Sequence, residues 1–343
     1  MANVFIHVGP HKTGSTYIQK QLRENAAVLA EHGVSYPDLK SPVYGHGALA
    51  RRLRGWGPPV TAEEMEALTD QPTLVLSSEN FVLLSEEQLR HLRATLAGHD
   101  ITVVFTLRSL TKTLPSHWQE TVKHGNPQTY LEYLARIHGW LEGSYEQVIP
   151  STQLAKLAAV FGRDDLRLIS YENSEDLFET FGRVVLGTTS PVFAGDGARV
   201  NPSYSAERVE LVRQLNRRFH SAHKGRTPGR HLRMAYTESS GAFEASAQFQ
   251  AFAAAFGEVA MTIRLADSDP FIQAEASRVD AAYGDLVVNP VKSTGADAAS
   301  VTEQRSETRC ALASWQLSPE VDESLDALYH RLEPTALELL GGR

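Results

Sequence analysis

The run Gly9-Pro10-His11-Lys12-Thr13-Gly14-Ser15-Thr16 gathers two glycines, one lysine and three hydroxyl side chains into a single short segment. It follows the apolar stretch Val4-Phe5-Ile6-His7-Val8 and precedes a helical pattern whose apolar positions include Ile18 and Leu22. A strand that ends in a glycine-bearing turn and enters a helix aims backbone N–H groups and the positive end of the helix dipole at one spot, where a phosphate or similar anion sits. Gly14 permits close backbone approach, Lys12 contributes a point charge, and Ser15 and Thr16 contribute hydroxyl donors. The spacing of Gly9 and Gly14 fits the start of a Walker-type loop, but that loop places Lys and then Ser or Thr directly after the second glycine. Ser15 stands in that place and Lys12 precedes Gly14, which disfavours a nucleoside triphosphatase.

The segment Pro10 to Tyr17 resembles the 5'-phosphosulfate-binding loop of sulfotransferases, whose pattern is Pro-Lys-Ser/Thr-Gly-Thr-Thr-Trp, with His11 inserted between Pro10 and Lys12. The resemblance implies 3'-phosphoadenosine 5'-phosphosulfate (PAPS) as donor and 3'-phosphoadenosine 5'-phosphate (PAP) as product. Lys12, Thr13, Gly14, Ser15 and Thr16 would hold the 5' end, with His11 able to touch the sulfate. No metal is implied. A second strand-to-helix junction, Val103-Val104-Phe105-Thr106-Leu107-Arg108-Ser109, is similar to the family's 3'-phosphate site, and Ser116 follows Arg108 at the family's spacing. An Arg grips phosphate bidentately, and Ser116 falls about two helical turns further along on a similar face. Leu168-Ile169-Ser170-Tyr171-Glu172-Asn173 resembles a later family strand whose tyrosine lies near the adenine, and Tyr17 stands where the family has an adenine-stacking Trp. Both tyrosines could equally belong to the core. The family's Lys-Gly-x-x-Gly loop is not found, and Arg199 is its stand-in.

Transfer to a hydroxyl requires a base, which the family supplies from the segment after the strand between these two motifs. Here Leu74-Val75-Leu76 leads into Ser77-Ser78-Glu79, so Glu79 is the candidate catalytic base beside Lys12, and His46 is the second candidate. The resemblance runs in ordered motifs through about residue 205. Two rival readings remain: a P-loop kinase of a small metabolite, and a non-catalytic nucleotide-binding relative.

These residues need a frame that brings strand ends together. Val4–Val8, Thr73–Leu76, Ile101–Leu107 and Leu166–Tyr171 are expected strands, nearly continuous in apolar character and therefore buried on both faces. Helical patterns cover Ser15–His32, Ser85–Ala97, Thr111–His124, Gln128–Leu141 and Ser151–Phe161. This alternation predicts an α/β, P-loop-like three-layer fold: a central parallel sheet flanked by helices. Beyond Val200 the expected helices are Tyr204–Phe219, Ala242–Phe256, Phe271–Tyr283 and Pro319–Leu340. We expect one domain over 1–343, a donor-binding core at 1–205 and a helical continuation at 206–343 with a mobile loop at 289–309.

Composition sets the remaining bounds. A net charge of -8 argues against generic binding to nucleic acid, and the single Cys310 excludes an internal disulfide. No export signal or membrane-length apolar run is visible, so a cytoplasmic protein is expected. Two basic stretches, Arg51-Arg52-Leu53-Arg54 and the one from Arg217 to Arg233, are either solvated faces or attractors for an anionic acceptor. The acceptor expected is a small molecule or saccharide, and the sequence does not name it.

Overall fold

The computed structural model describes residues 1–39, 44–139, 148–187, 204–290, 304–312 and 315–341. In chain order the elements are β1 (Asn3–Val8), α1 (Ser15–Glu24), α2 (Ala26–Glu31), β2 (Val34–Ser35), α3 (Gly47–Leu53), α4 (Ala62–Glu66), β3 (Thr73–Ser77), α5 (Glu86–Thr95), β4 (Asp100–Leu107), α6 (Leu110–Lys123), α7 (Tyr130–Gly139), α8 (Pro150–Phe161), β5 (Leu166–Ser170), α9 (Leu177–Leu186), α10 (Ala206–Ala222), α11 (His231–Glu244), α12 (Ala247–Val259), β6 (Met261–Ala266), α13 (Pro270–Tyr283), β7 (Arg305–Cys310) and α14 (Pro319–Gly341). The chain packs as two compact units. The first comprises Met1–Thr113, Glu142–Asn201 and Ser268–Glu303, and the second Leu114–Leu141, Pro202–Asp267 and Gln304–Arg343.

The first unit is the expected parallel α/β sheet. Its five strands lie in the order β2-β3-β1-β4-β5, and every neighbouring pair is parallel. Parallel neighbours require crossovers, and helices on both faces supply them. Side-chain alternation along β1 and β4 separates two cores. Val4, Ile6, Val103 and Phe105 meet Leu89 and Leu92 of α5 and Leu154 and Leu157 of α8 on one face. Val75, Val104 and Ile169 meet Ile18 and Leu22 of α1 and Phe178 and Phe181 of α9 on the other. Each such apolar side chain taken out of water contributes about 1.5–3 kcal/mol, so the sheet centre is a rigid base for the loops at its edge.

Helix boundaries have local causes. The expected helix Ser15–His32 is two helices because the Asn25 side-chain amide donates to the Gln21 carbonyl at 2.8 Å and ends α1. α5 starts where Ser85 and Gln88 form a capping box, and α8 starts with Pro150 in its first turn.

The second unit is mainly helical, with β6 and β7 paired antiparallel. β7 starts inside the segment expected as a loop, 289–309, and runs one residue past it; residues 291–303 of that segment lie outside the described residues. In β7, Thr308 and Cys310 are buried while Arg305, Glu307 and Arg309 face solvent, a strand alternation built on small inward residues. The expected helix Ala242–Phe256 divides at Ser246, whose hydroxyl accepts from the Phe249 N–H and starts α12. Arg218 of the second basic stretch pairs with Asp322 and, at 2.6 Å, with Asp326 of α14, and His223 meets Glu333 at 2.7 Å. Part of that positive charge is thus engaged within the unit.

Candidate functional site

β1 ends at Val8, and the chain turns through Pro10–Thr13 before α1. The turn is closed by Thr13, whose hydroxyl donates to the Pro10 carbonyl at 2.6 Å and whose N–H donates to the same oxygen at 3.3 Å. Lys12 has φ 70 and Gly14 φ 80, both left-handed. For a lysine that conformation costs about 1–2 kcal/mol and persists only where the surroundings enforce it. At Gly14 a side chain would be both strained and crowded: a Cβ there would lie 2.4 Å from Leu177 Cδ2 and 3.1 Å from Tyr171 Cε2, so those side chains would have to shift. As N-cap, Gly14 offers α1 no side-chain acceptor, so the first turn's N–H groups gain no side-chain cap and suit an anion. Ser15 is buried, while His11, Lys12 and Thr16 are half-buried along the same turn.

The neighbouring strands bring further groups to this end of the sheet. β3 pairs with β1 in a register that sets Ser77 beside His7, and the chain continues through Ser78 into a 3-10 turn at Glu79–Leu83. Ser15 donates its hydroxyl hydrogen to Glu79 Oε2 at 3.3 Å, so the expected base lies against the loop. His46 is differently placed. Its Nδ1 accepts from the Ser77 N–H at 3.0 Å and its Nε2 therefore donates to the Pro37 carbonyl at 2.9 Å. It is 1% exposed, and burial lowers its pKa to about 4. Both ring nitrogens are engaged with backbone, which leaves neither for a substrate proton. His7 is likewise a core group, bonded to Ser77 Oγ at 2.8 Å and lowered to about 3 by burial.

On the other side of β1, β4 delivers Arg108. Its Nη1 donates to the Lys12 carbonyl, its guanidinium lies 4.9 Å from the Tyr171 ring centroid, and its Nε has no hydrogen-bond partner among the described residues. Tyr171, at the end of β5, is 37% exposed and packs on Gly14, so it is a surface of the loop and not core. Tyr17 is half-buried and donates to Asp176 Oδ2 at 2.8 Å; burial and that carboxylate push its phenol up to about 12. Asp176 Oδ1 meanwhile accepts from the Glu179 N–H at 2.7 Å and caps α9. Glu172 accepts from the Ser109 N–H at 3.1 Å, tying the end of β5 to the turn after Arg108.

The first unit therefore brings together Lys12, the loop, Glu79, Arg108, Tyr17 and Tyr171. Ser116 lies on α6 in the second unit, half-buried, and Arg199 lies outside the described residues. Asp176 was not anticipated, although its spacing to Glu179 is a helix-start signal, and Glu172 was read only as part of the Tyr171 motif, without its bond to Ser109. In the first basic stretch Arg52 makes a bidentate pair with Glu64 and Arg54 stacks 4.3 Å over Trp56. Arg52 thus shapes its own surface. Among the described residues no group of three or more His, Cys, Asp or Glu could hold a metal, and no helix is long and apolar enough to cross a membrane.

No protein-family model and no curated protein matches the chain. Among solved structures, a sulfotransferase from Alicyclobacillus acidocaldarius aligns at 16% identity over 65% of this chain and 95% of that one, with a TM-score of 0.39. A likeness at that level carries no argument about chemistry.

Proposed function

We propose that this chain is a sulfotransferase that moves the sulfuryl group of PAPS to an acceptor hydroxyl of a small molecule or saccharide. The observation that supports it most is the meeting of three elements at one end of the sheet: the loop carrying Lys12, Arg108 bonded to the Lys12 carbonyl, and Glu79 bonded to Ser15. The residues fit a donor with two phosphate positions. The uncapped first turn of α1, with Ser15 and Thr16, suits the 5' end, and Arg108 suits the 3'-phosphate. Tyr17 and Tyr171 flank the loop as flat faces for the adenine.

The donor supplies an activated sulfuryl group, and the protein's share is positioning and charge stabilisation, by analogy with phosphoryl transfer. The acceptor oxygen forms a new bond to sulfur as the bond from sulfur to the 5'-phosphate oxygen breaks. Lys12 neutralises the charge building on that leaving oxygen. Glu79 takes the acceptor's proton, since its carboxylate is held beside the loop and His46 has no nitrogen to offer.

The test is transfer of radiolabelled sulfate from PAPS across an acceptor panel with wild type and Glu79→Gln. The expected result is turnover by wild type and a loss of about 100-fold or more in the variant, the usual scale for removing a general base, with PAP affinity retained. Equal turnover by both would remove Glu79 from the base role.

A further inference from the structure

We propose that Gln153 is a positioning residue for Arg108, acting through one buried water in the cavity between the phosphate loop, the end of β4 and the starts of α6 and α8. This rests on the reading of Arg108 as the donor's 3'-phosphate ligand. The cavity, of about 20 Å³, is lined by Arg108, Thr113, Gln153, Thr13 and Thr106 together with apolar groups such as Phe105. That volume holds one water and little else.

Thr13 and Thr106 are already bonded, to the Pro10 carbonyl and to His7, but the other three polar side chains each bring a buried atom with no hydrogen-bond partner among the described residues: Arg108 Nε, Thr113 Oγ1, and both Oε1 and Nε2 of Gln153. Gln153 is 1% exposed and Thr113 6%, so bulk solvent does not reach them. Buried polar groups are paired in native proteins, and the cost of leaving an amide unpaired is large. One water answers three of these four atoms: it accepts from the Arg108 Nε–H, exchanges a hydrogen bond with Thr113 Oγ1 and donates to Gln153 Oε1.

The consequence is for Arg108. Its Nη1 is committed to the Lys12 carbonyl and one face lies over Tyr171. With Nε fixed through the water, the guanidinium is held at three points, and Nη2 is left to meet the anion. Gln153 thus sets the orientation of a phosphate-binding group without touching the ligand.

The experiment has two arms. In a wild-type crystal structure at high resolution, a fully occupied water within hydrogen-bond reach of Arg108 Nε, Thr113 Oγ1 and Gln153 Oε1 is expected; Gln153 bonded elsewhere, with no such water, overturns the proposal. In calorimetry with PAP, Gln153→Met weakens binding by about tenfold, but adds nothing in an Arg108→Ala background, because the two act as one unit. Additive losses, as from general destabilisation, also overturn it. Thr113→Val provides the same cycle should Gln153→Met fail to fold. If wild type does not bind PAP, the sulfotransferase reading fails, while the crystal structure still decides the water bridge.

Discussion

Arg108, at the end of β4, donates through Nη1 to the carbonyl oxygen of Lys12, a residue ninety-six positions earlier in the chain. The bond reaches the left-handed lysine of the loop, so the two cations of the proposed donor site hold one another's backbone and side chain in place. Arg108→Lys keeps the charge but loses the planar fork that serves the carbonyl and stacks on Tyr171. We expect PAP affinity to fall by about tenfold or more, with a melting temperature within a few degrees of wild type. Unchanged affinity in calorimetry would mean that charge alone suffices at this position.

His7 and His46 make stability depend on pH. Burial lowers them from 6.5 to about 3 and about 4, so in the folded chain both stay neutral where the unfolded chain is protonated. Unfolding therefore takes up protons below about pH 6.5, and stability is lost as pH falls from there toward about 4. The expected loss between about pH 6.5 and about pH 5 is on the order of 1–2 kcal/mol per histidine. Urea melts at pH 7 and pH 5 check it, and equal midpoints would contradict it.

Glu275 of α13 anchors the start of α8. Its two carboxylate oxygens accept from the Ser151 N–H at 2.6 Å and the Ser151 hydroxyl at 2.8 Å, and the residue is 2% exposed. Glu275→Ala strands a buried helix-start donor and removes its charged acceptor, so we expect a loss of about 2–4 kcal/mol in denaturant melts. Glu275→Gln, which keeps one acceptor, should lose about half as much. No loss in either variant would show that Ser151 finds another acceptor.

The sheet was legible in the sequence because its strands are buried on both faces: Val4–Val8 and Ile101–Leu107 are each found one residue longer, as Asn3–Val8 and Asp100–Leu107. Val34–Ser35 was not, being too short to show any period. β7 escaped because its inward positions include Thr308 and Cys310 in place of large apolar residues. The loop, Arg108, Glu79 and Tyr171 could be read because each follows a recognisable strand, and β3, β1, β4 and β5 are neighbours, which gathers their ends. What could not be read depends on packing between distant segments. His46 looks like a base until Ser77 and Pro37 occupy its nitrogens. Nothing near Gln153 in the chain marks it as a neighbour of Arg108, and they share a cavity only once α8 packs on the sheet.

The central claim is a donor site built on Lys12 and Arg108. Calorimetric titration of PAP without Mg2+ into wild type, Lys12→Ala and Arg108→Ala, with ATP as comparison, tests it most directly. Wild type is expected to bind PAP in preference to ATP, and both substitutions to weaken that binding by about tenfold or more. No PAP binding, or a preference for ATP with Mg2+, would contradict it.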